Sequence, residues 1–220
     1  MLLALLLAAA AAGPVEVVGF SPDDKYVAFI EHGVAEGSGY PWARLRVMDV
    51  GRSADAAAPV SITLDSGKDT DTEEGAVRKA RDAAEAARVK LGIASWAAPR
   101  IIQTDDKGEL SDHTGAPIGT LEIKERAGKG KCEEPFRPLL LSLVIHWLDD
   151  DKPARVAEEK KPPKDRSCAG ECALGGVFAH GKVALVLAKC TVQGFEGPST
   201  HYSPYTARLP YGLDEPLPAQ

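Results

Sequence analysis

The chain has 220 residues, 44% hydrophobic, 26% charged and 6% aromatic, enough to bury one full core and unlike a disordered or fibrous sequence. Its formal net charge of -6 excludes a protein whose main partner is nucleic acid or an anionic membrane, because both need clustered Lys and Arg to release counterions. One mainly-β domain is expected over 13–220.

The elements begin with Met1 to Ala12, an apolar run that ends in small residues, as a signal peptide and its cleavage site require. A membrane-spanning helix needs about 20 apolar residues, and Gly13, Pro14 and Glu16 interrupt this run first. A signal peptide over 1–12, no transmembrane span and a secreted or periplasmic location are therefore expected. No cysteine near the cleavage site suggests a lipid anchor.

Val15 to Phe20 and Lys25 to Glu31 are rich in β-branched and aromatic residues, and Ser21-Pro22-Asp23-Asp24 between them is turn chemistry, which predicts a hairpin. Gly33 to Trp42 reads as a glycine-rich loop, Ala43 to Val50 as a half-buried alternating strand, and Val60 to Leu64 as a short strand completing a meander. Asp71 to Leu91 is the one clear helix. Thr70 to Glu73 fits a capping box, Gly92 stops the helix, and Ala76, Ala80, Ala83, Ala84, Ala87 and Leu91 share a face. On its other face Arg78 with Asp82 and Arg81 with Glu85 are i,i+4 pairs. Ile101 to Gln103, Ile118 to Lys124, Leu139 to Trp147, Leu174 to Ala179, Val183 to Thr191 and Tyr202 to Leu209 then read as strands. The run from Leu139 is nearly continuously apolar, which predicts a central strand buried on both faces. The charged stretch 149–166 reads as a mobile, protease-sensitive loop with room for a short strand at Ala154 to Glu158. The expected class is α+β, mainly β: antiparallel sheets with one Ala-rich helix packed on a face.

Export makes Cys132, Cys168, Cys172 and Cys190 two disulfides. Three connectivities are open; the preferred one joins Cys168 to Cys172 as a local clip and Cys132 to Cys190 across the chain. A zinc site is the weaker reading, because zinc ribbons use paired C-x-x-C knuckles and here the close pair is C-x-x-x-C. The acidic residues Asp65, Asp69, Asp71, Glu73 and Glu74 fail the EF-hand template, with Glu74 where its glycine belongs, and the helix dipole accounts for them. Neither a metal nor another cofactor is expected.

The segment Phe20-Ser21-Pro22-Asp23-Asp24-Lys25-Tyr26-Val27-Ala28-Phe29 resembles the first strand pair of a TolB-type propeller blade. Propellers repeat the blade, and no second copy is found, so a full propeller is not expected. With Tyr40-Pro41-Trp42-Ala43, the Arg/Ala-rich helix and Gly194-Phe195-Glu196-Gly197-Pro198, the motif is similar to a family of predicted secreted bacterial proteins of unknown function. The resemblance implies export and a shared fold. That family has no agreed activity, so no residue role transfers. The chain departs from it at Asp24, where the family favours Gly, and in its four cysteines.

The five histidines form no H-x-x-x-H or H-E-x-x-H pair, and neither a Gly-x-Ser-x-Gly elbow nor a P-loop is present, so no catalytic residue is assigned. Two function classes remain. The preferred one is a non-catalytic exported module that binds a protein, a glycan or an envelope component through Glu31, His32, Tyr40, Trp42, Phe195 and Glu196. The alternative is a secreted hydrolase that pairs Glu31 or Glu196 with a histidine such as His32.

Overall fold

The structure, a computed structural model, describes residues 15–35, 38–65, 72–102, 108–111, 114–148, 153–163, 166, 168–193 and 198–209. The first sheet is a meander of β1 (Val15–Phe20), β2 (Tyr26–Val34), β3 (Pro41–Asp49) and β4 (Ala54–Asp55), with β5 (Val60–Thr63) also paired to β3. Helix α1 (Glu73–Lys90) follows. Next come β6 (Arg100–Ile102), β7 (Glu109–Ser111), β8 (Pro117–Ala127), β9 (Leu139–Trp147), β10 (Ala154–Glu158), β11 (Ala169–His180), β12 (Val183–Gln193) and β13 (Pro198–Arg208). They build a second sheet in the order β13-β12-β11-β6 and a third in the order β10-β9-β8-β7. Among the described residues all pairings are antiparallel, and none of the sheets closes into a barrel or propeller.

Three apolar interfaces stack these layers. Ala76, Ala80 and Ala84 of the helix sit on Ala28, Ile30, Ala43, Leu45 and Val47 of the first sheet, small side chains allowing close approach. The opposite face of that sheet, through Val27, Phe29 and Met48, packs on Val183, Leu185, Leu187 and Tyr202 of the second. The second sheet then turns Val177, Ala184, Val186, Ala188 and Cys190 to Leu139, Leu141, Leu143 and Ile145 of the third. Because alternate residues face opposite sides of a strand, β12 is the one that must be apolar throughout, and Val183 to Ala188 are all buried. The expectation of two-sided burial for β9 is corrected: it lies inside its sheet, but Ser142 and Val144 are only half-buried and His146 is exposed.

The Ser21–Lys25 turn is held by its own side chains. Ser21 Oγ accepts from the Lys25 and Tyr26 amides at 3.1 and 2.9 Å and donates to Asp23 Oδ1 at 2.7 Å. The Lys25 ammonium, then the Ser21 hydroxyl, hold the Asp23 carboxyl down at about 2. Asp24 has φ of 56°, the left-handed region, which suits the Gly that the resembling family favours there. Gly19 bulges β1 and lets the chain return against it: a Cβ there would lie 2.6 Å from the Ala97 carbonyl, which accepts from the Phe20 amide.

Four further expectations are corrected. The disulfides join Cys132 to Cys168 and Cys172 to Cys190, not the preferred pairs. Val177 stands opposite Val186, and a bulge between Leu174 and Gly176 shifts the register by one residue, so Cys172 meets Cys190 rather than Thr191. The N-cap is Thr72, accepting from the Gly75 amide at 3.1 Å, in place of a box starting at Thr70. Arg81 reaches Glu16 of β1 at 2.7 Å rather than Glu85, which pairs with Arg88. Within 149–166, β10 is present and Arg166 is fully buried, so that part of the stretch is packed rather than solvated.

Candidate functional site

Strand alternation separates two residues that adjoin in sequence. Glu31 and His32 are neighbours on β2, so their side chains leave opposite faces of the first sheet. His32 faces the helix, where its Nδ1–H donates to Glu73 Oε1 at 2.6 Å. Glu31, only 5% exposed, faces the second sheet beside Tyr202. Burial first, and the Glu31 carboxylate second, push the Tyr202 phenol above its ordinary value. The Tyr202 hydroxyl is itself buried and has no hydrogen-bond partner among the described residues.

The glycine-rich loop is shorter than expected, because β2 runs to Val34 and β3 begins at Pro41. Trp42 pairs with Gly33 on the Glu31 face of the sheet, and its indole covers that glycine, whose Cβ would lie 3.4 Å from the ring nitrogen. Tyr40 at the hairpin tip is 41% exposed. Phe195 and Glu196 lie outside the described residues, between the end of β12 at Gln193 and the start of β13 at Pro198.

Two contacts orient these hairpins. His180 Nδ1–H donates to Asp24 Oδ1 at 3.1 Å, and the His180 ring stacks on Phe20 with centroids 6.0 Å apart. Asp24 precedes β2 and His180 precedes β12, so both strands leave the same end of the sandwich and run toward the other. The end of β2 at Val34 and the end of β12 at Gln193 therefore share that far end, with Glu31, Trp42 and Tyr202 leading up to it.

A Glu31–His32 dyad is thus not formed. Other carboxylate–histidine pairs are His32 with Glu73, His180 with Asp24, and His146 with Glu122 at 3.3 Å on the exposed face of the third sheet. Ser21 adjoins the second pair in sequence, yet its hydroxyl donates to Asp23 and not to the imidazole. A nucleophile–base hydrogen bond, the first requirement of a triad, is not made there.

Sequence reasoning missed a buried polar cluster. Arg166 Nε donates to Ser203 Oγ at 3.0 Å, Nη1 to the Leu139 carbonyl at 3.1 Å, and Nη2 to Glu159 Oε1 at 2.6 Å. Tyr205 donates to the same Glu159 oxygen at 2.6 Å, and the Leu141 amide donates to Oε2 at 2.7 Å. Burial, then that bond to Glu159, push the Tyr205 phenol well up. These bonds satisfy one another and join the third sheet to β13, which gives the cluster a structural role. Arg166 and Glu159 both fall in the charged stretch 149–166, but their partners Leu139, Ser203 and Tyr205 lie far from it in sequence, and nothing local marks the two as buried.

The model of a family described as a predicted secreted protein, DUF2259, matches residues 28–208. The chain belongs to this family. The match begins within β2 and runs through β13, so it takes in strands of all three sheets. No curated protein and no solved structure matches the chain. The family description places the protein outside the cytoplasm, and two disulfides agree with an oxidising compartment. Among the described residues, no helix is long and apolar enough to cross a membrane.

Proposed function

We propose that the protein is a non-catalytic exported module that binds an envelope component at the far end of the first two sheets. Residues 1–12 serve as its signal peptide, and the Phe20–Phe29 hairpin is the blade-like start of its first meander. The observation that carries the binding reading is the convergence of two strand pairs distant in sequence: β2 and β3 at Val34 and Pro41, and β12 at Gln193, reach the same end, beside Trp42 and Tyr40. Aromatic side chains at such a rim supply large contact area at low conformational cost. The hydrolase reading loses its Glu31–His32 pairing, since these two residues face opposite sides of the sheet.

Co-sedimentation of the oxidised protein with envelopes isolated from its source cells tests this reading. Saturable binding is expected, weakened about tenfold by Tyr40→Ala with Trp42→Ala, the cost of removing two aromatic anchors. Unsaturable binding, or saturable binding that ignores both aromatics, contradicts it.

A further inference from the structure

The two disulfides sit in different surroundings. Cys172 and Cys190 face each other across β11 and β12, and Cys190 is fully buried in the apolar layer between the second and third sheets, with Cys172 packed against it. The other bridge lies off the ladders: Cys132 is in the β8–β9 connection, and Cys168 immediately precedes β11. Both are half-buried, and Lys131, Glu133 and Glu134 beside Cys132 are exposed. Cys168 Sγ is 3.9 Å from the Lys131 carbonyl oxygen, in an exposed contact.

Thiol–disulfide exchange needs an open approach to one sulfur and a place for the other to leave as thiolate. Cys190 offers neither. A reductant cannot reach its sulfur, and attack on Cys172 would expel the Cys190 thiolate into apolar surroundings, where its charge is costly. At the other bridge a thiolate can approach Cys132 from solvent, and Cys168 leaves at a half-exposed position.

The Cys132–Cys168 bond also fastens a definite piece of chain. Between Lys129 and Glu134 the connection reaches the second sheet through an exposed side-chain bond as well, Gln193 Nε2 to Glu133 Oε2 at 2.9 Å. Its later part is held independently: Arg137 and Ala169 exchange two backbone hydrogen bonds of 2.9 Å, and a Cβ on Gly170 would lie 3.8 Å from the Phe136 ring. Opening the bridge therefore frees one arm of the connection without unpairing a strand.

We propose that Cys132–Cys168 is a reversible thiol–disulfide exchange site that accepts two electrons from a dithiol, and that its opening releases residues 129–134 while Cys172–Cys190 and the sheets stay closed. One thiolate of the dithiol attacks Cys132 Sγ, forming a mixed disulfide as the Cys132–Cys168 bond breaks and Cys168 leaves as a thiolate that takes up a proton. The second sulfur of the dithiol, giving up its proton, attacks the first and displaces Cys132, which is protonated in turn. The protein gains two thiols and the dithiol becomes a disulfide.

Timed incubation of the oxidised protein with dithiothreitol at neutral pH, followed by alkylation and peptide mass spectrometry beside hydrogen exchange, tests it. Cys132 and Cys168 are expected to label together and at least about tenfold faster than Cys172 and Cys190. Exchange should rise in 129–134, stay unchanged in β12, and return to its starting value on reoxidation. Earlier opening of Cys172–Cys190, simultaneous opening of both bridges, or unchanged exchange in 129–134 once Cys132 and Cys168 are labelled overturns the proposal. Cys132→Ser with Cys168→Ser gives a second reading: it should keep Cys172–Cys190 oxidised and show the raised exchange in 129–134 without reductant. Parent-like protection there overturns the proposal as well.

Discussion

The two ends of the sandwich formed by the first and second sheets are built differently. At the Asp24 end polar groups are matched: His180 pairs with Asp24 and stacks on Phe20, and the Ser21 hydroxyl serves two amides and one carboxylate. At the far end the Tyr202 hydroxyl is buried without a partner and Arg44 is half-buried without one, among the described residues. Leaving a buried donor unmade costs about 1–3 kcal/mol, so one end is arranged for stability while the other carries a cost.

The largest effect should come from the apolar bridge between these ends. Leu185 is fully buried in that interface, and Leu185→Ala should destabilise the fold by about 3 kcal/mol in denaturant unfolding. A much smaller loss would mean that the sheets do not depend on each other. Next, Asp24→Ala removes the His180 pair and leaves a residue with a Cβ in the left-handed region, for an expected loss of about 1–2 kcal/mol. Asp24→Gly should cost less, because it keeps the conformation while losing the pair. At the opposite end the sign reverses: Tyr202→Phe should gain about 1 kcal/mol in the absence of ligand. A loss there would show that the hydroxyl is satisfied and would erase the contrast.

The smallest effect concerns acid. Asp23 is depressed to about 2 by Lys25 and Ser21, below the ordinary Asp value of about 3.9. A carboxyl lowered in the folded state stabilises above its unfolded value, and that contribution fades as pH falls through the interval and is gone below about 2. An NMR titration should place its midpoint there and move it upward in Ser21→Ala. A midpoint near 4 in the parent chain would mean that the turn is not held by its side chains.

Much of the fold was legible because local patterns decide it. β9 and β10 fall at their expected bounds, and the alanines of α1 face the first sheet as their spacing requires. β4 and β7 carry two and three residues, too few to show a period. The disulfides were misread because cross-strand partners depend on register, and the bulge between Leu174 and Gly176 is what moves Cys172 opposite Cys190. Of the candidate site, Glu31 and Trp42 were legible as binding-module candidates, whereas Tyr202 joins them only through strand pairing and sheet packing. The separation of His32 from Glu31 follows from alternation once β2 is known to run through both.

The three tryptophans offer the most direct test, because each reports from a different place. Trp42 lies at the far end, Trp96 packs against the helix side of the first sheet, and Trp147 belongs to the interface of the second and third sheets. The measurement is the indole N–H region of a nitrogen–proton correlation spectrum, recorded while soluble polysaccharide released from source-cell envelopes is added. A saturable shift of the Trp42 resonance, with Trp96 and Trp147 stationary, is the predicted result. A shift confined to Trp96 or Trp147, or none at all, would contradict the claim that the far end is where this protein binds.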